Sequence, residues 1–279
     1  MMDYVEVTYT LSPRDPWTDI LISMLAEIGF DSFEETETGF KAYITGKEFD
    51  EDKLQDIIPN ELKEAGDYSY IVKNINNQNW NEVWESNFEP VLIDNKCYIR
   101  APFHESKPNI DYEILIEPKM SFGTGHHETT SLMVSWLLEV DFNEKTVLDM
   151  GCGTGVLAIL AEKRGASKIT AIDNYIYAYE NTLENIERNS CKNITTVLGD
   201  AEVLGKESFD VVIANITKNI LIEDMDKYYE VLNMGGLLFL SGFFESDKHQ
   251  LEAKASELNL KFVGVKFEKD WASLCFEKI

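Results

Sequence analysis

The chain has 279 residues, of which 44% are hydrophobic, and a formal net charge of −25 at pH 7. This length and composition predict a globular protein with a sizeable core and two domains. The acidic balance argues against nucleic acid as a direct partner, and the sequence has neither a long apolar run nor a signal-peptide pattern, so we expect a cytoplasmic protein without a membrane span.

The first 75 residues predict a small α+β domain. Alternating apolar residues indicate strands, and longer periodic stretches indicate helices. The predicted elements are strands at 5–9, 30–35, 40–45 and 68–73 and helices at 17–25 and 50–58. The order β-α-β-β-α-β is typical of a ferredoxin-like domain. This stretch holds no catalytic cluster, so we expect it either to recognise a partner or only to support the other domain.

Residues 76–110 are predicted to form a linker. The polar stretch 74–79 is a natural domain boundary. Trp80 and Trp84 follow it four residues apart, which places both on one face of a short helix and favours a docking surface. Short strands at 91–93, 97–100 and 112–116 then lead into the second domain, assigned to 111–279.

A loop rich in Gly, Ser and Thr precedes the next predicted helix. It reads Ser121-Phe122-Gly123-Thr124-Gly125-His126-His127-Glu128-Thr129-Thr130 and suits closure on a ligand. We reject a metal site here because adjacent side chains diverge on a helix and only two other histidines exist. The four cysteines form no CxxC pair, so we expect reduced thiols, without a zinc site or a disulfide framework.

Strands and helices alternate through the second domain. Val147 and Leu148 end a buried strand, glycines follow at positions 151, 153 and 155, and a helix opens at Val156. Further strands are predicted at 168–172, 194–198, 209–214 and 237–241, with a closing antiparallel pair at 261–267 and 271–277. This alternation predicts a parallel sheet covered on both faces, with the ligand at the carboxyl ends of its strands.

Polar groups follow several of these strands. Asp173 ends the second strand of the unit, where a carboxylate can accept both hydroxyls of a ribose, and Asp200 and Asn215 end later strands. A nicotinamide dinucleotide and an adenosine cofactor both fit this much. A dinucleotide fingerprint requires a third glycine at position 156, where this chain has Val156. The acid at Asp149, ahead of the turn, instead suits a cofactor with an amino group and a sulfonium charge.

The pattern Asp-x-Gly-x-Gly-x-Gly with an acid after the next strand resembles the S-adenosylmethionine-binding signature of class I methyltransferases. The stretches 122–130 and 147–155, followed by Ala214-Asn215-Ile216, narrow the resemblance to the PrmA family, which methylates large-subunit ribosomal protein eleven. The resemblance is strong over 116–243 and implies an α/β fold: a Rossmann-like, seven-stranded class I methyltransferase sheet with the small ferredoxin-like domain in front.

The resemblance also implies site residues. Thr130, Gly151, Asp173 and Asn215 are expected to bind S-adenosyl-L-methionine, with Asn215 beside the methyl group and the incoming amine as the catalytic residue. Gly153 and Asp200 are weaker candidates on spacing alone. The implied reaction transfers methyl groups to lysine and N-terminal amines of the ribosomal protein, a basic partner that the acidic chain would attract.

Three alternatives remain open on the sequence. One is a class I methyltransferase acting on another protein or on a small-molecule amine. The second is a nicotinamide-dependent oxidoreductase, and the third is a non-catalytic module that keeps the cofactor site. Many amine methyltransferases carry Asn-Pro-Pro-Tyr where this chain has Asn215-Ile216-Thr217-Lys218, and the missing aromatic residue favours flexible lysines over a stacked planar substrate.

Overall fold

The computed structural model describes residues 4–75, 88–119 and 121–279. The chain divides into two compact units, with the boundary between residues 88 and 89. Trp80 and Trp84, with the helix predicted to carry them, lie outside the described residues. The strands at 91–93 and 97–100, assigned to the linker on sequence, lie in the second unit. They pair with each other, and the strand at 97–100 also pairs with the strand that begins at Tyr112.

The first unit is a four-stranded antiparallel sheet with helices on one face. Its elements are β1 (Tyr4–Ser12), α1 (Trp17–Glu27), β2 (Ser32–Thr36), β3 (Gly39–Thr45), α2 (Glu51–Asp56), α3 (Asn60–Ala65) and β4 (Asp67–Ile75). The sheet order β2-β3-β1-β4 has every neighbouring pair antiparallel, which is the predicted ferredoxin-like arrangement. Alternate residues of β1, including Val5 and Val7, are buried and form the core of this unit.

The second helical segment of this unit differs from the prediction. Asp50 caps α2 as expected, since its carboxylate accepts the Asp52 N–H at 3.1 Å. A further helix, α3, begins immediately after Pro59 and was not predicted. Proline fits a helix start because its missing N–H would have no partner there.

The second unit contains the large sheet. Its elements are β5 (Val91–Ile93), β6 (Cys97–Arg100), β7 (Tyr112–Leu115), α4 (Glu128–Leu137), β8 (Thr146–Met150), α5 (Val156–Lys163), β9 (Lys168–Asp173), α6 (Ile176–Arg188), β10 (Ile194–Leu198), β11 (Phe209–Asn215), α7 (Lys218–Val231), β12 (Leu232–Phe244), α8 (Lys248–Glu257), β13 (Leu260–Glu268) and β14 (Trp271–Lys278). The strand order is β10-β9-β8-β11-β12-β14-β13. β14 runs antiparallel to both β12 and β13, so the predicted closing hairpin of β13 and β14 is confirmed.

Both faces of this sheet are covered, and the residues of β8 show how. Val147 points into one core with α4, α5 and the small sheet β5-β6-β7, whereas Leu148 points into the other core with α7 and α8. A strand buried on both faces reads as a continuous apolar run, which is the pattern of β8 and β11. None of the helices within the described ranges is long and apolar enough to cross a membrane.

The strand order places the ligand edge. The chain leaves β8 toward β9 on one side and returns to β11 on the other, so the order reverses between β8 and β11. Ligands of open α/β sheets bind outside the carboxyl ends of the strands at such a switch point. Gly151 and Asn215, at the ends of β8 and β11, lie on this edge.

Candidate active site

A cavity of about 510 Å³ lies at this carboxyl edge. Such a volume is within the range of about 300–1,000 Å³ that small-molecule sites occupy. The residues around it come from the loop before α4, the turns after β8, β9 and β11, and the segments near β12 and β14: Ser121, Phe122, His127, Thr129, Gly151, Gly153, Asp173, Asn174, Tyr175, Ala178, Asn215, Ile216, Thr217, Ile220, Gly242 and Trp271. The structure therefore has a cavity at the carboxyl edge of the sheet, where the sequence predicts the ligand.

The turn after β8 presents backbone to this cavity. Gly151 and Gly153 have φ values of +70° and +57°, the left-handed region that glycine adopts without strain. The Gly151 N–H donates to the Ile172 carbonyl at 2.8 Å, which fixes the turn against β9. A Cβ placed on Gly153 would lie 2.2 Å from the backbone oxygen of Phe122. The turn thus lies against the loop that precedes α4 and has no space for a side chain at position 153.

Asp173 ends β9 and is held by two backbone donors. Its Oδ2 accepts the Gly153 N–H at 2.9 Å and its Oδ1 accepts the Tyr175 N–H at 2.9 Å. Each carboxylate oxygen has a second acceptor site, so both can still accept from a ligand. The side chain lines the cavity, and a carboxylate at the end of this strand can accept a pair of adjacent hydroxyl groups.

Asn215 is the last residue of β11 and also lines the cavity. Its backbone is fixed by the parallel ladder to β12, where it lies opposite Ser241, and the Ile216 N–H donates to the Ser241 carbonyl at 3.1 Å. Its Oδ1 is buried and has no hydrogen-bond partner within the described part of the chain. A buried acceptor without a partner is costly, so this oxygen is placed for a donor that a ligand or substrate supplies.

Thr130 and Thr129 differ in position at the start of α4. Thr130 is fully buried and its hydroxyl has no partner in the described ranges, but it is not among the residues that line the cavity. Thr129 lines the cavity, and its hydroxyl lies 2.9 Å from Nδ1 of His127. His127 is the N-cap of α4, where Nδ1 also accepts the Thr129 N–H at 3.3 Å. This cap sets the rotation of the helix.

The two weaker candidates from the sequence, Gly153 and Asp200, differ in whether they line the cavity. Gly153 lines the cavity, as described above. Asp200 is not among the lining residues, and its Oδ1 instead accepts the Glu202 N–H at 2.9 Å, which caps a short 3-10 turn over 201–203.

Aromatic rings form one wall of the cavity: Phe122 and His127 come from the loop that the sequence marked as suited to closure on a ligand, whereas Trp271 was not predicted. Phe122 and His127 have ring centroids 5.1 Å apart, and the His127 ring lies 4.7 Å from the Trp271 ring. Trp271 in turn contacts Phe244, with centroids 4.2 Å apart. Trp271 opens the closing strand β14, so no local motif connects it to the glycine turn.

Asp149 lies behind the glycine turn. It is 1% exposed, and its Oδ2 accepts the Ala158 N–H, in the first turn of α5, at 3.1 Å. Burial raises the pKa of its carboxyl to about 7, and the nearby charge of Asp173 acts in the same direction. Asp149 is not a lining residue, so it acts on the cavity only through the turn and through its charge.

With this geometry established, comparison with known proteins decides the family. Residues 24–279 match the family described as "Ribosomal protein L11 methyltransferase (PrmA)". The chain belongs to this family. The resemblance given by the sequence motifs is therefore confirmed, and so is the reading of the chain as a methyltransferase.

Individual relatives agree with the family. A protein of Phocaeicola vulgatus named ribosomal protein L11 methyltransferase is 45% identical over 99% of both chains. One of the same name from Porphyromonas gingivalis is 45% identical over 99% of this chain and 98% of its own. Membership excludes the nicotinamide-dependent oxidoreductase alternative.

Solved structures give the fold. The crystal structure of a ribosomal protein L11 methylase from Lactobacillus delbrueckii subsp. bulgaricus superposes with a TM-score of 0.65 at 24% identity, covering 69% of this chain and all of that one. A methyltransferase from Pyrococcus furiosus gives 0.51 at 21% identity, with 59% of this chain and 89% of that one covered. The predicted class I methyltransferase fold of this L11 methyltransferase family member is confirmed.

Proposed function

We propose that the protein transfers methyl groups from S-adenosyl-L-methionine to lysine and N-terminal amines of large-subunit ribosomal protein L11. The observation that carries the proposal is the buried Oδ1 of Asn215, which lacks a partner within the described residues and lines the same cavity as Asp173. The relatives named for this substrate align with the chain from end to end, which supports the same substrate here.

The residues of the cavity fit the cofactor. Asp173 presents two acceptor oxygens for the ribose hydroxyls, and Gly151 and Gly153 provide a floor of backbone that a ligand can approach closely. We also assign Thr130 to the methionine half, because its buried hydroxyl lacks a partner in the described part of the chain, although the residue is not among those that line the cavity. When bound, the cofactor supplies a methyl group already activated by a sulfonium charge.

Asn215 then acts on the other reactant. A lysine ammonium has a pKa near ~10.4 and must lose its proton before it can attack. The Oδ1 of Asn215 accepts a hydrogen bond from the neutral amine and so directs the nitrogen lone pair toward the cofactor. Position and exclusion of water supply most of the rate, because among the described lining residues the only carboxylate is that of Asp173, which is held by two N–H groups.

The shape and charge of the protein suit a basic protein substrate. Ile216 and the ring of Trp271 line the cavity where a flexible aliphatic stem would enter. The chain carries 50 acidic against 25 basic residues, an excess that steers a cationic partner toward it. We assign recognition of that partner to the ferredoxin-like unit, and reaction in the cytoplasm is consistent with four cysteines that are all free thiols.

The direct test is incubation of purified protein with L11 and isotope-labelled S-adenosylmethionine, followed by mass spectrometry of the L11 peptides. We expect labelled mass increments on lysine or N-terminal amines. A basic protein that is not ribosomal, present at equal concentration, is the control. If that control is methylated as fast as L11, or if L11 gains no label while the cofactor is bound, the substrate assignment is wrong.

A further inference from the structure

Ser121, the residue immediately before the Phe122–Thr130 motif, has an unusual environment. It is only 9% exposed, and its Oγ has no hydrogen-bond partner within the described ranges. It also lines the cavity of about 510 Å³ at the carboxyl edge of the large sheet, here the main cavity. A buried hydroxyl normally has a partner, because leaving one without costs the full loss of its hydration. A ligand in the cavity would supply that partner.

The position of Ser121 indicates which part of the ligand it faces. Ser121 and Tyr175 both line the main cavity, and both also line a smaller adjoining hollow of about 420 Å³, together with Lys119, Tyr177 and Glu180. Asn215 lines the main cavity but not the adjoining hollow. Ser121 is therefore on the side of Tyr175 and away from the position of the amine.

Tyr175 links this side to the ribose position. Its N–H donates to Oδ1 of Asp173 at 2.9 Å, and its own side chain is half exposed beside Tyr177, with ring centroids 5.2 Å apart. A ligand whose ribose is held by Asp173 would place its nucleoside half, and not its amino-acid half, between Tyr175 and Ser121.

We infer that Ser121 is a further cofactor-binding residue, whose hydroxyl forms a hydrogen bond with a polar atom of the adenosine half of the ligand. The inference rests on the proposed function, because it takes the ligand to be an adenosyl compound. Ser121 acts in binding and not in the chemical step, so it affects affinity for the product as much as for the methyl donor.

The test compares two ligands in titration calorimetry. S-adenosylhomocysteine carries both halves of the cofactor, whereas 5′-methylthioadenosine lacks the amino-acid half and can be measured by competition. Ser121→Ala is expected to weaken binding of both by the same factor, about 3- to 10-fold, the size of one lost hydrogen bond. The KM for S-adenosylmethionine is expected to rise by a similar factor, and kcat is expected to fall by less than KM rises.

Two control variants sharpen the comparison. Ser135→Ala removes a hydroxyl that accepts from Lys266 Nζ at 2.8 Å and that does not line the main cavity, so it should leave both affinities unchanged. Thr130→Val should weaken S-adenosylhomocysteine and leave 5′-methylthioadenosine unchanged. Melting temperatures of all variants verify that each is folded.

The outcomes separate this inference from the proposed function. If the parent protein does not bind S-adenosylhomocysteine, the proposed function is wrong and the inference falls with it. If the parent protein binds but Ser121→Ala changes neither affinity, changes only that for S-adenosylhomocysteine, or matches the effect of Ser135→Ala, the inference alone is overturned.

Discussion

The outer face of the N-terminal sheet and the carboxyl edge of the large sheet differ in whether their polar side chains have partners. On the N-terminal sheet several polar residues contact one another: the Tyr43 hydroxyl lies within hydrogen-bond distance of the carboxylates of Glu6 and Glu34, at 3.2 and 3.1 Å, and Lys41 lies 3.6 Å from Glu34. At the carboxyl edge Asn215 and Ser121 have buried oxygens without partners in the described part of the chain.

This contrast indicates which of the two surfaces requires a small ligand. A face whose charges pair among themselves is complete without a ligand, and it can meet a partner only through its remaining surface charge. An edge with buried acceptors and hydroxyls that lack partners is complete only when another molecule supplies them. We therefore assign the chemistry to the second unit, which holds the cavity. We propose recognition for the first unit, whose own buried polar atoms without a partner in the described residues, on Tyr9, Arg14 and Thr36, do not line that cavity.

The largest expected effect comes from closing the carboxyl edge with one methyl group. Gly153→Ala would place a Cβ 2.2 Å from the Phe122 backbone oxygen, at a φ of +57°. Because the obstacle is backbone, the turn must move, and we expect cofactor affinity to fall by at least about 100-fold. Titration calorimetry with S-adenosylhomocysteine measures this loss.

Gly235→Ala is the matched control for Gly153→Ala. Gly235 also has a positive φ, +74°, but a Cβ there would have no atom within 4 Å. The Gly235→Ala variant should therefore lose only about 1 kcal/mol in the free energy of unfolding, the cost of a side chain at a left-handed backbone position. Its cofactor affinity should be unchanged. Equal losses of affinity in the two variants would show that the close approach to Phe122 does not matter.

A second prediction separates the two units directly. A protein consisting of residues 89–279 keeps the cavity and both cores that surround the large sheet. We expect it to bind S-adenosylhomocysteine within a few-fold of the full chain but to methylate L11 at least about 100-fold more slowly in kcat/KM. The measurement is labelled methyl incorporation into L11. Undiminished methylation by this shorter protein would show that the N-terminal unit is not needed to recognise L11.

Asn215→Ala tests the role of the acceptor that lacks a partner. Because Oδ1 is proposed to contact the amine, its loss should reduce kcat by about 10- to 100-fold and change cofactor affinity by less than about threefold. Single-turnover methylation of L11 separates the two quantities. Asn215→Asp, which keeps an acceptor at the same place, should retain more activity than Asn215→Ala. An equal loss of turnover and of affinity would make Asn215 a cofactor ligand only.

The parallel strands of the large sheet and its ligand edge could be read from the sequence because their signals are local. Val147 and Leu148 are apolar on successive positions, as a strand buried on both faces requires, and glycines follow at once. Asp173 and Asn215 each end a strand, so the parallel arrangement alone brings them to one edge. Nothing beyond strand order is needed for that inference.

Other features depend on contacts between distant segments, which a local pattern does not carry. Trp271 reaches the cavity only because β14 inserts antiparallel between β12 and β13. Spacing also cannot distinguish Thr129 from Thr130, since the His127 cap sets the rotation of α4. The helix α3 is six residues long, and among its residues of described burial only Leu62 is buried, so no helical period can be recognised in the sequence.

The smallest expected effect is a change in stability and concerns Asp149, which lies behind the glycine turn. Its pKa is raised by burial to about 7, whereas the unfolded chain releases the proton near ~3.9. The native state therefore holds a proton that the unfolded state has lost, and the contribution of Asp149 to the free energy of unfolding falls as pH rises from about 4 to about 7. Above that range its contribution is constant and unfavourable.

Asp149→Asn should remove this slope. The amide oxygen can still accept the Ala158 N–H, so the turn is retained while the buried charge is lost. We expect the variant to be more stable than the parent protein at pH 8, by about 1–3 kcal/mol, and close to it at pH 4. Urea unfolding at both values measures this, with Glu37→Gln, an exposed acid of the N-terminal unit, as the control that should follow the parent protein. If Asp149→Asn is less stable than the parent protein at pH 8, the carboxylate is charged in the native state and stabilised by its surroundings. The carboxyl edge would then hold a second carboxylate charge behind that of Asp173.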